Sequence, residues 1–167
     1  MTEEKTGIPS LAGALLARCR ATGLRLATAE SCTGGMIAAA LTDVAGSSDV
    51  FERGFVTYAN AAKIDMLGVE AAMIAEFGAV SEPVARAMCQ GALSRAPVDL
   101  AVAVTGIAGP GGGTEAKPVG LVHLAAGRAG GEIRHRSAVF RGGRSAVRTG
   151  ATTAALAMLL ALAEGEP

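Results

Sequence analysis

Aromatic residues are nearly absent from this 167-residue chain: there is no Trp, one Tyr (Tyr58) and four Phe (51, 55, 77 and 140). It therefore offers few platforms on which the bases of a single strand could stack. Net charge is absent as well, because fifteen basic residues balance fifteen acidic ones. A general nucleic-acid binder needs surplus positive charge to neutralise phosphates, so the balance argues against such a partner. Cysteine is sparse. Cys19, Cys32 and Cys89 have no C-x-x-C spacing, which reads as a reduced, cytoplasmic protein without a disulfide framework or zinc site. His123 and His135 are twelve apart and read as ordinary strand residues, so no metal and no cofactor are expected. The polar, acidic start shows no signal peptide. The longest charge-free runs, 100–114 and 149–163, have fifteen residues each, whereas a membrane span needs ~20. A soluble protein without a membrane partner is expected. Lysine is the scarcest charge. Twelve bases are Arg, which leaves Lys5 in the polar tail and Lys63 and Lys117 beyond it. Codon bias toward Arg explains the background. Still, a retained Lys suits a task that Arg cannot do, because Lys loses its proton when buried and Arg does not.

Apolar residues, by contrast, make up 50% of the chain and charged ones only 18%, which is far from a disordered composition. The length suits one domain with a real core, assigned here to 9–164 after a polar tail over 1–8. The charge balance is an average. Residues 128–148 hold six Arg and one acid, Glu132. Residues 9–22 pattern as an amphipathic helix closed by Gly23, followed by a strand over 24–29. A helix to about Thr42, a turn at 46–48, a strand over 51–58 and a short helix capped by Asn60 come next. Helices near 70–77 and 82–96 precede a continuous apolar strand at 98–105. Strands over 119–126 and 132–140 flank a glycine-rich hairpin turn, and a long apolar helix covers 145–163. That helix reads as core, and a homo-oligomer is left open. Strands alternating with helices, then a hairpin, predict an α/β sheet that is mostly parallel with one antiparallel strand.

Ligands of such sheets bind at the carboxyl ends of the strands, where four segments carry chemistry. In Glu30-Ser31-Cys32-Thr33-Gly34-Gly35, a strand delivers Ser31 to a helix start. A hydroxyl beside unpaired helix N–H groups suits a nucleophile or an anion site, and equally a simple cap by Ser31 or Thr33. The segment is not a G-x-S-x-G elbow, and neither His is an obvious partner. Tyr58-Ala59-Asn60-Ala61-Ala62-Lys63 holds the single Tyr and a Lys that is either a buried base or a surface charge. Thr105-Gly106-Ile107-Ala108-Gly109-Pro110, continuing through Gly113, is either a backbone cradle for phosphate or sugar or a flexible loop. It lacks the G-K-[ST] ending of a P-loop. Arg141 and Arg144, with Arg148 one turn further on, suit a phosphate monoester or plain solvated charge. Taken together, these segments suggest a site for a small phosphate-bearing molecule.

Several of these stretches also form a family pattern. Ala29–Gly35, Gly46-Ser47-Ser48, Phe51–Tyr58, Gly78–Pro83, Thr105–Pro110 and Lys117-Pro118-Val119-Gly120 resemble the C-terminal domain family of the competence/damage-inducible protein CinA, over about residues 9–162. The resemblance implies a stand-alone nicotinamide-nucleotide amidase. It implies a three-layer α/β/α sandwich on a five-stranded mixed sheet with one antiparallel strand. The implied reaction converts nicotinamide mononucleotide and water to nicotinate mononucleotide and ammonia, recycling pyridine nucleotides without metal or cofactor. Carried over by motif, Ser31 is the nucleophile, Lys63 its base and Tyr58 a neighbour. Cys32, Thr33 and Gly34 at the helix start are the expected oxyanion donors. Glu30, Thr105, Gly106, Ile107, Ala108, Gly109, Arg141 and Arg144 are the expected substrate-binding residues. Members often carry an acidic residue where this chain has Gly143. Two other functions fit the same residues: a nucleotide-binding or interaction module without turnover, and a Ser–Lys amidase of another substrate.

Overall fold

The computed structural model describes residues 7–165. Most of the 1–8 tail therefore lies outside the described residues, while Ile8 already begins a helix. The order is α1 (Ile8–Thr22), β1 (Leu26–Glu30), α2 (Met36–Thr42), a 3-10 turn (Ser47–Asp49), β2 (Phe51–Val56), α3 (Asn60–Leu67), α4 (Ala71–Phe77), α5 (Glu82–Arg95), β3 (Leu100–Gly106), β4 (Leu121–Arg128), β5 (Ile133–Val139) and α6 (Arg144–Glu164). The five strands form one sheet in the order β2-β1-β3-β4-β5. β1 pairs in parallel with β2 and β3, whereas β4 runs antiparallel to both β3 and β5. A single strand is thus reversed, as the hairpin predicted. Local signals act where expected: Gly23 adopts the left-handed conformation that ends α1, and Pro83 sits in the first turn of α5.

Helices cover both faces of the sheet. Leu100, Val102 and Val104 of β3 pack against α1, α2 and α6, and the alternate Ala101 and Ala103 face α5. The α5 face is almost entirely alanine on the sheet side: Ala27, Ala29, Ala101, Ala103 and Ala125. Small side chains there let α5 lie close, and the bulk comes from Val84, Met88 and Leu93 of the helix. α5 in turn seats α3. A Cβ on Gly91 would stand 2.1 Å from the Leu67 carbonyl oxygen, so only glycine permits this approach. α6 is long and apolar enough by length and composition to cross a membrane. Here it is a core helix, with Val147, Ala151, Ala155, Leu156 and Leu159 fully buried.

Because β1, β2 and β3 are parallel, their carboxyl ends meet on one edge. The ladder continues past the strands: the Ser31 N–H donates to the Val104 carbonyl, and the Thr57 N–H to the Glu30 carbonyl. Residues 31, 57 and 105 are thereby brought side by side. β5 runs in the same direction, so the start of α6 arrives at that edge too.

Candidate active site

At this edge lies a cavity of about 280 Å³. Its lining includes Ser31, Cys32, Tyr58, Lys63, Arg144 and the backbone from Thr105 to Gly109. Lys63 is the largest fully buried side chain of the fold, at 1% exposure. Its Nζ donates to Ser31 Oγ at 3.0 Å and to the Thr57 carbonyl at 2.8 Å. No carboxylate pairs with it among the described residues. Burial therefore holds the amine below its ordinary 10.5, opposed only by the weaker influence of Cys32. A neutral amine so placed keeps its bond to the Thr57 carbonyl and turns a lone pair toward the Ser31 hydroxyl. The geometry is that of a base beside a nucleophile.

The segment after β1 differs from the expected helix start. Residues 31–35 form a turn, with Gly34 and Gly35 at positive φ, and α2 begins only at Met36 with no side-chain cap. Neither Ser31 nor Thr33 is the cap. Glu30 fills that role from a distance and is not a substrate-binding residue by position. It is fully buried, and its carboxylate accepts from the N–H groups of Ile37 at 2.9 Å and Ala38 at 3.0 Å. A buried carboxylate needs donors and a helix N-terminus supplies them, so the first turn of α2 is already occupied. The Gly34 N–H is committed as well, donating to the Ser31 carbonyl at 3.0 Å. The N–H groups of Cys32 and Thr33 donate to no other residue among the described ones. Of these two, Cys32 lines the cavity and Thr33 is buried behind it. Burial pushes the Cys32 thiol up to about 11, so it is an uncharged packing group.

The glycine-rich loop forms the opposite wall. Gly109 has φ 82°, and a Cβ there would stand 2.4 Å from Val119 Cγ1, so both conformation and contact require glycine. Arg144 bridges the mouth, donating to the Gly109 carbonyl at 2.9 Å and to the Tyr58 hydroxyl at 2.8 Å. Tyr58 is 61% exposed and sits at this rim, held by Arg144. Arg141 is exposed and lies outside the lining. Three lining residues lie outside the expected site set, Asn60, Ala79 and Val80, while Gly111 and Gly112 belong to the expected cradle that continues through Gly113. Asn60, expected to cap α3, is instead its first residue: Ala59 is the cap and no side chain bonds there. Ala79 and Val80 are drawn in because Thr105 Oγ1 donates to the Ala79 carbonyl at 2.9 Å. The motif Gly78–Pro83 was the available signal for them. His123 and His135 stack on neighbouring strands with ring nitrogens 2.9 Å apart, away from the cavity lining.

A model of the CinA C-terminal domain matches residues 9–163, nearly the whole chain. The chain belongs to the CinA C-terminal domain family. Among relatives of this CinA domain, the CinA-like protein of Akkermansia muciniphila is 52% identical over 158 residues, covering 95% of this chain but 38% of that protein. The chain spans 32–38% of the length of such CinA-like relatives. The nicotinamide-nucleotide amidohydrolase PncC of Escherichia coli K12 is 54% identical over 140 residues, 84% of this chain and 85% of that protein. The crystal structure of a competence/damage-inducible protein from Agrobacterium tumefaciens superposes with a TM-score of 0.91 at 52% identity, covering 93% of this chain and 94% of that one. A CinA superfamily protein from Escherichia coli gives 0.90 at 38% identity, covering 97% and 94%.

The depressed Lys63 pKa has a stability consequence with a definite sign. Charged Lys63 penalises the fold fully below its folded-state pKa, and the penalty is relieved as pH rises from there toward 10.5. Each tenfold change in proton affinity corresponds to about 1.4 kcal/mol. Urea unfolding across pH should therefore show the wild type gaining stability relative to Lys63→Met as pH rises toward 10.5. A difference that stays constant with pH contradicts the burial account.

Proposed function

We propose that this domain hydrolyses the carboxamide of nicotinamide mononucleotide, releasing ammonia and nicotinate mononucleotide. The observation that carries the reading is the buried, carboxylate-free Lys63 amine 3.0 Å from Ser31 Oγ. The similarity to an Escherichia coli protein named nicotinamide-nucleotide amidohydrolase supports the choice of substrate.

Neutral Lys63 takes the Ser31 proton as Oγ attacks the carboxamide carbon. The oxyanion that forms is stabilised by the spare Cys32 N–H that follows Ser31 at the cavity wall, where one lost donor typically costs about 3–4 kcal/mol of barrier. Collapse of the tetrahedral intermediate breaks the C–N bond, and protonated Lys63 supplies the proton with which nitrogen leaves as ammonia. Water then attacks the acyl–Ser31 ester with Lys63 again as base, releasing the carboxylate product and restoring Ser31. Thr57 orients the amine through its carbonyl throughout. Arg144 at the mouth is the phosphate ligand in this account. The donors it now directs to Tyr58 and Gly109 match phosphate oxygens equally well. The wall from Thr105 to Gly109 supports the rest of the nucleotide.

Ammonia release from nicotinamide mononucleotide, the riboside, free nicotinamide and the dinucleotide tests substrate and activity together. Ser31→Ala should lower kcat roughly a thousandfold or more. A wild-type rate in that variant would remove Ser31 from the mechanism. Binding of the mononucleotide without any ammonia release would favour a non-catalytic module, and faster turnover of another amide would favour a different substrate. Arg144→Ala should raise KM for the mononucleotide roughly 10- to 100-fold while barely changing that for the riboside. Equal effects on both substrates would sink the phosphate role.

A further inference from the structure

One turn beyond Arg144, α6 presents a second arginine that lies outside the cavity lining. Arg148 is half-buried and reaches the turn that carries Ser31. Its Nε donates to the Cys32 carbonyl at 3.0 Å and its Nη2 to the Thr33 carbonyl at 3.2 Å. A trans peptide is planar, so a carbonyl and the next N–H point in opposite directions. Holding the Cys32 carbonyl therefore aims the Thr33 N–H away from Arg148. Holding the Thr33 carbonyl aims the Gly34 N–H away, onto the Ser31 carbonyl 3.0 Å distant. That bond in turn fixes the peptide bearing the Cys32 N–H. One guanidinium thus bears directly on two successive peptides after Ser31, and through the Gly34 N–H on a third. The Thr33 carbonyl also accepts from the Met36 N–H at 3.1 Å, whereas the Cys32 carbonyl has Arg148 as its one donor among the described residues, and Thr33 Oγ1 is buried without a hydrogen-bond partner.

We infer that Arg148 is a positioning residue for amide hydrolysis. Its two-carbonyl grip keeps Ser31 and the Cys32 N–H in reacting geometry without touching substrate. The inference rests on the reading of Ser31 as nucleophile. A planar fork fixes the relative geometry of two neighbouring carbonyls, whereas a lysine ammonium is a point charge with rotatable donors that imposes none.

The test is steady-state ammonia release from nicotinamide mononucleotide by purified full-length Arg148→Ala and Arg148→Lys, with Ser31→Ala alongside and thermal unfolding of each. The expected result for Arg148→Ala is a roughly 100-fold fall in kcat, the order seen when an oxyanion donor is lost, with KM within about twofold. Arg148→Lys should fall less. Millimolar guanidinium should restore part of the kcat of Arg148→Ala and none of that of Ser31→Ala. Near-normal kcat in both Arg148 variants overturns the inference alone. So does a rise in KM at unchanged kcat, or a loss that follows the unfolding temperature without guanidinium rescue. A fully active Ser31→Ala overturns the nucleophile assignment, and this inference with it.

Discussion

The site depends on one constraint: an amine is kept out of water without an acid beside it. Lysine is ordinarily exposed, and a buried one is ordinarily paired with a carboxylate that holds it charged. Lys63 has a hydroxyl and a carbonyl instead. Both partners tolerate the neutral amine, and burial favours it. The nearest part of the chain with a buried acid is the end of β1, where the Glu30 carboxylate is spent on the N–H groups of Ile37 and Ala38. The one fully buried acid among the described residues thus has its own partners, and no ion pair joins it to Lys63.

The remaining architecture serves that arrangement. Parallel pairing of β1 with β2 and β3 sets the turn after β1 beside the residues leading into α3. The alanine face of the sheet and Gly91 let α5 and α3 close over the Lys63 stem. On the opposite face, α6 is anchored in the core by Val147, Ala151 and Leu156. Its exposed first turns therefore project Arg144 and Arg148 from a rigid base. One reaches the cavity mouth and the other the turn behind Ser31.

Much of this was legible in the sequence because it is encoded locally. Gly23, Pro83 and the apolar run at 98–105 act on their immediate neighbours, and the elements they bound appear within a few residues of expectation. The scarcity of lysine pointed to Lys63 for a chemical reason that burial now supports. Failures arose where one residue acts on a distant one. Glu30 caps a helix that starts six residues later, a reach that capping patterns do not encode. Ala79 and Val80 enter the cavity through a bond to Thr105, 26 residues away in sequence. Arg148 holds carbonyls more than a hundred positions earlier, and Arg141, equally plausible as sequence, points elsewhere.

Everything proposed for catalysis requires that the Lys63 amine lose its proton more readily than a lysine in water. Nitrogen-15 NMR of the Lys63 side chain, titrated in the free protein and assigned by comparison with Lys63→Met, measures this directly. The account predicts a midpoint below 10.5. A Lys63 midpoint at or above 10.5 would contradict it.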